Sequence, residues 1–481
     1  MNSSVKKNTI YSFLKAIFSL IFPVITFPYA SRILLPEGIG KVNFANSIID
    51  YFLLIAGLGI YSYAIREGAK LRTSRSEFTN FSKEIFCINL ISTLVAYLLL
   101  AISIFLSSKL ANYKILILLS STKILFTTIG LEWVFVANED FKYITIRSLL
   151  FQILAIFYLF IFVKDSSDIY EYCIFGLISS VASNLLNFVY SRKYISWGQK
   201  CKLYLVKHLK PLFILFGTSI AISLYTILDT TLLGFFANDK EVGIYSAANK
   251  LCHMTLSIIT VINPTLLPRL SFYFDKDKNK YFSLLKKSSN YLQAISMPCV
   301  FGMAVLSKRL TLIFCGSNYT DSISSMIVLS PLIFIVTFGG FFSRQIFLPQ
   351  KKDSQTLIPV ICGALINLIV SVILIRRLGA LGAAIGSLTA ETLVTLMKYL
   401  YAKRLLKKFS IFDKFYQYLV ASCIMGLSIY FIDMILPSNL LAVFVLVISG
   451  ILIYSLILLL LKNEYFIELL NLIKETVRLK R

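Results

Sequence analysis

The sequence predicts an all-α, polytopic membrane protein, and three observations carry that reading. Apolar stretches long enough to cross a bilayer recur about fourteen times. The composition is 57% hydrophobic, with a mean hydropathy of +0.77. Lysine and arginine give a formal net charge of +24, and they crowd into every second gap between the apolar stretches. A hydrocarbon core roughly 30 Å thick needs about 20 apolar residues per helix, so fourteen crossings take up about 280 of the 481 residues.

The predicted spans are 9–33, 41–65, 85–107, 114–136, 145–164, 170–190 and 211–236. They continue with 243–265, 289–312, 323–348, 355–375, 382–402, 415–435 and 441–461. Gaps after even-numbered spans hold Arg66, Lys70, Arg72, Arg75 and Lys83, then Arg192, Lys193, Lys200, Lys202, Lys207 and Lys210. Later ones hold Arg269, Lys276, Lys278, Lys280, Lys286 and Lys287, then Lys403, Arg404, Lys407, Lys408 and Lys414. With the termini and the two smaller even gaps, about 34 cations lie on that side against about 10 opposite, a bias that predicts two cytoplasmic termini. Lys6 and Lys7 open an apolar run like a signal peptide's, but Pro23 and Pro28 interrupt it and further spans follow, so it reads as a retained first helix. The gap 66–84 and the tail 462–481, with Phe466, Leu469, Leu470, Ile473 and Val477 against Lys474, Arg478 and Lys480, have the spacing of interfacial helices. Cations spread over many loops in this way argue against nucleic-acid binding.

An internal repeat organises the spans. Gly40-x4-Ala45-Asn46-x-Ile48 opens the second span, and Gly243-x4-Ala248-Asn249-x-Leu251 opens the eighth. Six helices separate them, so the two halves share one orientation and are expected to be related by a pseudo-two-fold axis along the membrane normal. The expected organisation is an N-terminal six-helix lobe at 1–195 and a C-terminal six-helix lobe at 196–410. Helices 13 and 14 (411–461) and the basic tail 462–481 are additions.

Ionisable groups inside spans cost several kcal/mol unless paired or hydrated, so each is a functional candidate. They are Lys15, Asp50, Lys123, Glu132, Asp229, Lys250, His253, Glu391 and Lys398. Extending the repeat aligns Asp50 with His253 and Ser47 with Lys250, which suggests that Asp50 approaches Lys250 and His253 between the halves. Glu391 and Lys398, seven apart, share a face and either could meet Lys15. Lys123 and Glu132, nine apart, face opposite ways and need separate partners. Arg32 and Arg344 sit near helix ends, where snorkelling is the simpler account.

The scattered cysteines (Cys87, Cys173, Cys201, Cys252, Cys299, Cys315, Cys362, Cys423) and only two histidines, His208 and His253, offer no metal cluster. No phosphate-binding loop or dinucleotide fingerprint occurs, so no cofactor and no ATP hydrolysis are expected. Asp275-Lys276-Asp277 has the form of a glycosyltransferase's metal-holding pair but lacks any nucleotide-binding domain around it.

The segment Phe27-Pro28-Tyr29-Ala30-Ser31-Arg32-Ile33-Leu34-Leu35-Pro36-Glu37-Gly38-Ile39-Gly40, running on through Asn43, Ala45 and Asn46 to Ser47, resembles the opening signature of the polysaccharide-biosynthesis flippases. These are the Wzx-type O-antigen and capsule repeat-unit translocases of the multidrug/oligosaccharidyl-lipid/polysaccharide exporter superfamily. Gly379-Ala-Leu-Gly382-Ala-Ala-Ile-Gly386-Ser is also similar to that family. The resemblance implies two six-helix bundles that open alternately to each side, and a cargo of undecaprenyl diphosphate bearing a short oligosaccharide. It implies a cavity lined with cations, for which Lys15, Arg32, Lys123, Lys250 and Lys398 are the candidates because they lie within spans. Asp50, Asp229, His253 and Glu391 are the candidates for ion coupling or charge pairing. A polymerase and a chain-length regulator are the expected pathway partners.

Two other readings are an ion-coupled multidrug exporter and a peptidoglycan-precursor flippase. Acidic residues holding cationic drugs would mark the exporter, and here cations are at least as numerous. A repeat-unit polymerase or glycosyltransferase would need a substantial outer loop, and the outer loops are short.

Overall fold

The computed structural model describes residues 3–260, 262–352, 354–406, 410–437, 439–468 and 471, and the regular elements among them are all helices. Their contacts divide the chain into two compact units, Met1–Gly243 and Ile244–Arg481. The first contains α1 (Ser3–Gly57), α2 (Ile60–Leu71), α3 (Arg75–Leu106), α4 (Ser108–Asn112), α5 (Lys114–Gly130) and α6 (Glu132–Ala137). It continues with α7 (Phe141–Phe162), α8 (Ile169–Leu177), α9 (Asn184–Tyr190), α10 (Val206–Phe236) and the start of α11 (Asp239–Thr260). The second holds the rest of α11, α12 (Ile262–Lys276), α13 (Lys278–Val305), α14 (Ser307–Phe314), α15 (Ser322–Leu329) and α16 (Leu332–Phe341). It ends with α17 (Ser354–Leu378), α18 (Ala380–Leu406), α19 (Phe415–Ile435) and α20 (Leu440–Leu460). The division falls at Gly243, and α10 packs along α1 within the first unit.

Ten helices among the described residues are long and apolar enough to cross a membrane, or eleven if a bent pair, α13 with α14, is one span. That does not reach the fourteen expected from sequence, and part of the difference lies in the longest helix. Tyr11–Leu71 runs 61 residues, which at 1.5 Å per residue is about 90 Å, three times the hydrocarbon thickness. It is broken at Leu35 (φ 60°), where the following Pro36 disfavours α conformation and supplies no N–H. Lys15 and Gly68 both reach the segment at 132–133, whereas Tyr29 and Gly38 both reach 163–169. A chain that meets the same two segments on its way out and its way back has reversed at Leu35.

The repeat glycines have a packing reason. A Cβ on Gly40 would lie 1.8 Å from the Asp239 carbonyl oxygen, and a Cβ on Gly243 would lie 1.9 Å from that of Pro36. Each glycine therefore rests on the carbonyl four residues before the other, so the crossing is itself two-fold symmetric and admits no side chain. Gly382 and Gly386 act likewise between α17 and α18, where a Cβ would meet the Leu374 backbone and Ser371. Asp277 proves to be the N-cap of α13, accepting from the Lys280 N–H at 3.1 Å, which accounts for that residue of Asp275-Lys276-Asp277 without catalysis. Apolar side chains such as Leu94, Leu98, Phe105 and Phe157 point outward, as they must where the solvent is lipid. The expected amphipathic tail lies mostly outside the described residues, as do Lys407 and Lys408.

Candidate functional site

Two charge clusters sit within the spans of the N-terminal unit. In the first, Lys123 of α5 donates to Asp50 of α1 at 2.5 Å. In the second, Lys15 of α1 donates to Glu132 at 3.3 Å, and Arg147 of α7 stands 4.0 Å from the same carboxylate. Arg147 also donates to Asn184 Oδ1 at 3.2 Å, and Asn187 donates to that oxygen at 3.3 Å. Lys123 and Glu132 thus have separate partners, as their spacing predicts. Lys15 meets Glu132 rather than Glu391 or Lys398, and Asp50 is held by Lys123 within its own unit.

Arg147 is the residue that sequence reading missed. Its side chain is 6% exposed, and its Nε has no hydrogen-bond partner among the described residues. The signal was present: an arginine two residues inside the predicted fifth span. Charges so close to a helix end are ordinarily solvated, which masks that signal.

Two helix interruptions place these groups. The α1–α2 chain breaks at Leu58 (φ 44°) and Gly59 (φ 71°), and α5 passes to α6 through Leu131 (φ 45°). The first break frees the carbonyl of Ala56, which takes hydrogen bonds from Asn89 Nδ2 at 2.8 Å and Ser92 Oγ at 2.6 Å. Satisfying such freed groups from a neighbouring helix is what makes a break tolerable in a membrane. Between the breaks lies a cavity of about 250 Å³ lined by Gly57, Gly59, Asn89, Thr128, Glu132 and Asn184, among others. Two cations share one carboxylate beside it, an excess of one positive charge.

Of the remaining predicted residues, Asp229 is buried on α10, and Arg32 is exposed on the first arm of α1. In the C-terminal unit, Lys250 and His253 lie three apart on α11, with His253 exposed. Lys398 of α18 is 7% exposed and interacts electrostatically with Glu391. The Tyr245 and Ser387 hydroxyls, 2.9 Å apart, pin α11 to α18. His208 is also placed: buried at the opposite end of the unit from the Leu35 reversal, it bridges Tyr63 and Glu84, each at 2.8 Å. That network ties the start of α10 to α2 and α3. No group of three or more metal-ligating side chains occurs among the described residues.

The fold is that of a bundle of membrane-length helices, and sequence comparison narrows it. The family described as polysaccharide biosynthesis protein matches residues 5–274. The chain belongs to that family. It is 25% identical over 409 residues to a putative O-antigen transporter of Escherichia coli K12, covering 83% of this chain and 97% of that one. Among solved structures it resembles the lipid II flippase MurJ in an inward closed conformation, with a TM-score of 0.75 and 18% identity over 96% of this chain and 99% of that one. It also resembles an inward-facing multidrug resistance MATE family transporter of the MOP superfamily, with a TM-score of 0.63 and 15% identity over 84% of this chain and 95% of the other. Those two likenesses concern the fold.

Proposed function

We propose that this protein is a flippase, not an enzyme, that moves an undecaprenyl-diphosphate-linked oligosaccharide repeat unit from the cytoplasmic to the outer leaflet by alternating access. The O-antigen, lipopolysaccharide, capsule and exopolysaccharide pathways use such cargo. The observation that carries the reading is the cluster in which Lys15 and Arg147 share the single carboxylate of Glu132 beside a cavity, in a member of the polysaccharide biosynthesis family. A diphosphate with attached sugars cannot cross hydrocarbon unaided, and cations in a low-dielectric site attract it far more strongly than cations in water. The polyprenyl tail stays in lipid.

In this reading Lys15, Arg32, Lys123, Lys250, Lys398 and the added Arg147 meet the anionic headgroup, and Asp50, Asp229, His253 and Glu391 couple its movement to an ion gradient or potential. The protein sits in the inner membrane with both termini in the cytoplasm, and a polymerase and a chain-length regulator act downstream. The test is mass spectrometry of lipid-linked oligosaccharides from cells lacking the protein, with a leaflet-sidedness assay. A completed repeat unit trapped on the cytoplasmic leaflet supports the proposal; normal arrival at the outer leaflet overturns it. Transport into sealed vesicles that ignores both pH gradient and potential would sink the coupling assignment alone. The likeness in fold to a lipid II flippase keeps a peptidoglycan-precursor cargo as the second reading, tested by complementing a strain depleted of its lipid II flippase.

A further inference from the structure

The sequence concentrates lysine and arginine at one end of the helices, and several of them are paired there with acids. Lys70 pairs with Glu67, Lys193 with Asp140, Lys207 with Glu84, Lys286 with Asp413 and Lys287 with Glu468. The other end is poor in cations, because a lysine there works against the charge bias that orients the chain. Yet three of its lysines converge. Lys41, at the start of the second arm of α1, joins Lys109 of α4 and Lys114 of α5 around one depression of about 360 Å³.

Its other lining residues include Asn112, Tyr113, Ile169 and Tyr170, and no aspartate or glutamate. None of the three lysines has an acidic partner among the described residues. Tyr113 is fixed: its hydroxyl donates to Asp239 at 2.5 Å, and its ring packs edge-on against Phe44 at 5.1 Å. That hydrogen bond also occupies the Asp239 carboxylate. The depression therefore offers three unpaired ammonium groups, an amide and two aromatic faces, in a volume at the low end of the roughly 300–1,000 Å³ typical of small-ligand sites. Like charges gathered around one depression raise one another's energy, so the arrangement is stabilised when an anion joins it.

We infer that this depression is an anion-binding site for a carboxylate- or phosphate-bearing group presented at that face, with the tyrosines flanking a sugar ring. It deepens the flippase reading by supplying a release-side contact for acidic cargo. An anionic lipid headgroup presents the same chemistry.

The test uses the full chain in nanodiscs. In phosphatidylcholine discs, calorimetric titration compares a uronic-acid disaccharide with its neutral analogue. The proteins are the wild type, the triple variant Lys41→Gln/Lys109→Gln/Lys114→Gln and the triple arginine variant. A saccharide site is expected to bind the acidic sugar only, to lose on the order of tenfold in affinity or more in the glutamine variant, and to keep binding in the arginine variant. In discs containing phosphatidylglycerol, native mass spectrometry counts retained lipid. Retention that falls in the glutamine variant assigns the site to a lipid headgroup. Equal behaviour of wild type and glutamine variant with both probes, at unchanged thermal midpoint, overturns the inference. A leaflet-sidedness assay on the same proteins separates the two proposals: binding that depends on the lysines without any flipping leaves the site standing and removes the flippase.

Discussion

The two charge clusters of the N-terminal unit contain the same chemistry in different proportions. Lys123 and Asp50 are one cation and one carboxylate, a closed pair whose charges cancel. Lys15, Glu132 and Arg147 are two cations on one carboxylate, and the more buried of the two cations keeps an unsatisfied N–H. The first can hold two helices in register and ask nothing more of its surroundings. The second remains electrostatically incomplete, and it borders a cavity where the chain is broken twice.

Removing the shared acid should have the largest effect. Glu132→Gln leaves Arg147 buried with only an amide to receive it. Breaking a fully buried pair costs about 3–5 kcal/mol, and the half-exposed Glu132 places this variant lower, at about 2–3 kcal/mol, read as a fall in thermal midpoint in detergent. Adding Arg147→Met should restore most of that loss; if the double variant is no more stable than Glu132→Gln, the cluster is not coupled as described. Exchanging the closed pair is the next test. Lys123→Met or Asp50→Asn should each cost about 1–2 kcal/mol, because both side chains are partly exposed. The swap Lys123→Asp with Asp50→Lys should recover stability, and if it recovers transport as well, Asp50 has no coupling role.

Asn89→Ala probes the backbone beside the incomplete cluster. It leaves the Ala56 carbonyl to Ser92 alone and should cost about 1 kcal/mol, with faster hydrogen exchange near residues 56–60. The smallest effect concerns an acid outside the spans and held without any cation. The Ser167 backbone N–H and the Ser166 and Ser167 hydroxyls hold the Asp165 carboxyl below its usual range. A depressed carboxylate contributes stability above its unfolded pKa and loses it as pH falls through the folded value. Loop 165–168 should therefore gain exchange at acidic pH, and Asp165→Asn should weaken that pH dependence.

Much of the fold was legible because membrane crossing demands long apolar helices and because charge asymmetry records orientation. The repeat around Gly40 and Gly243 was legible as a pattern, but its cause was not. Only the folded chain puts each glycine on the carbonyl four residues before the other. The break at Leu35 is foreshadowed by Pro36. Glycines adjoin those at Leu58 and Leu131, but leucine ordinarily avoids positive φ and tertiary packing holds it there.

The sequence by itself determined that this chain is a bundle of membrane helices, which of its charges lie in spans, and that those charges need partners. Periodicity and hydropathy are local properties, readable along the chain. Which cation meets which acid was decided by tertiary structure alone: Lys15 and Glu132 are 117 residues apart, and Lys123 and Asp50 are 73. Spacing along a helix fixes the face a charge occupies, but the helix brought against that face is set by packing over the whole unit. That packing also separated the closed pair from the open one.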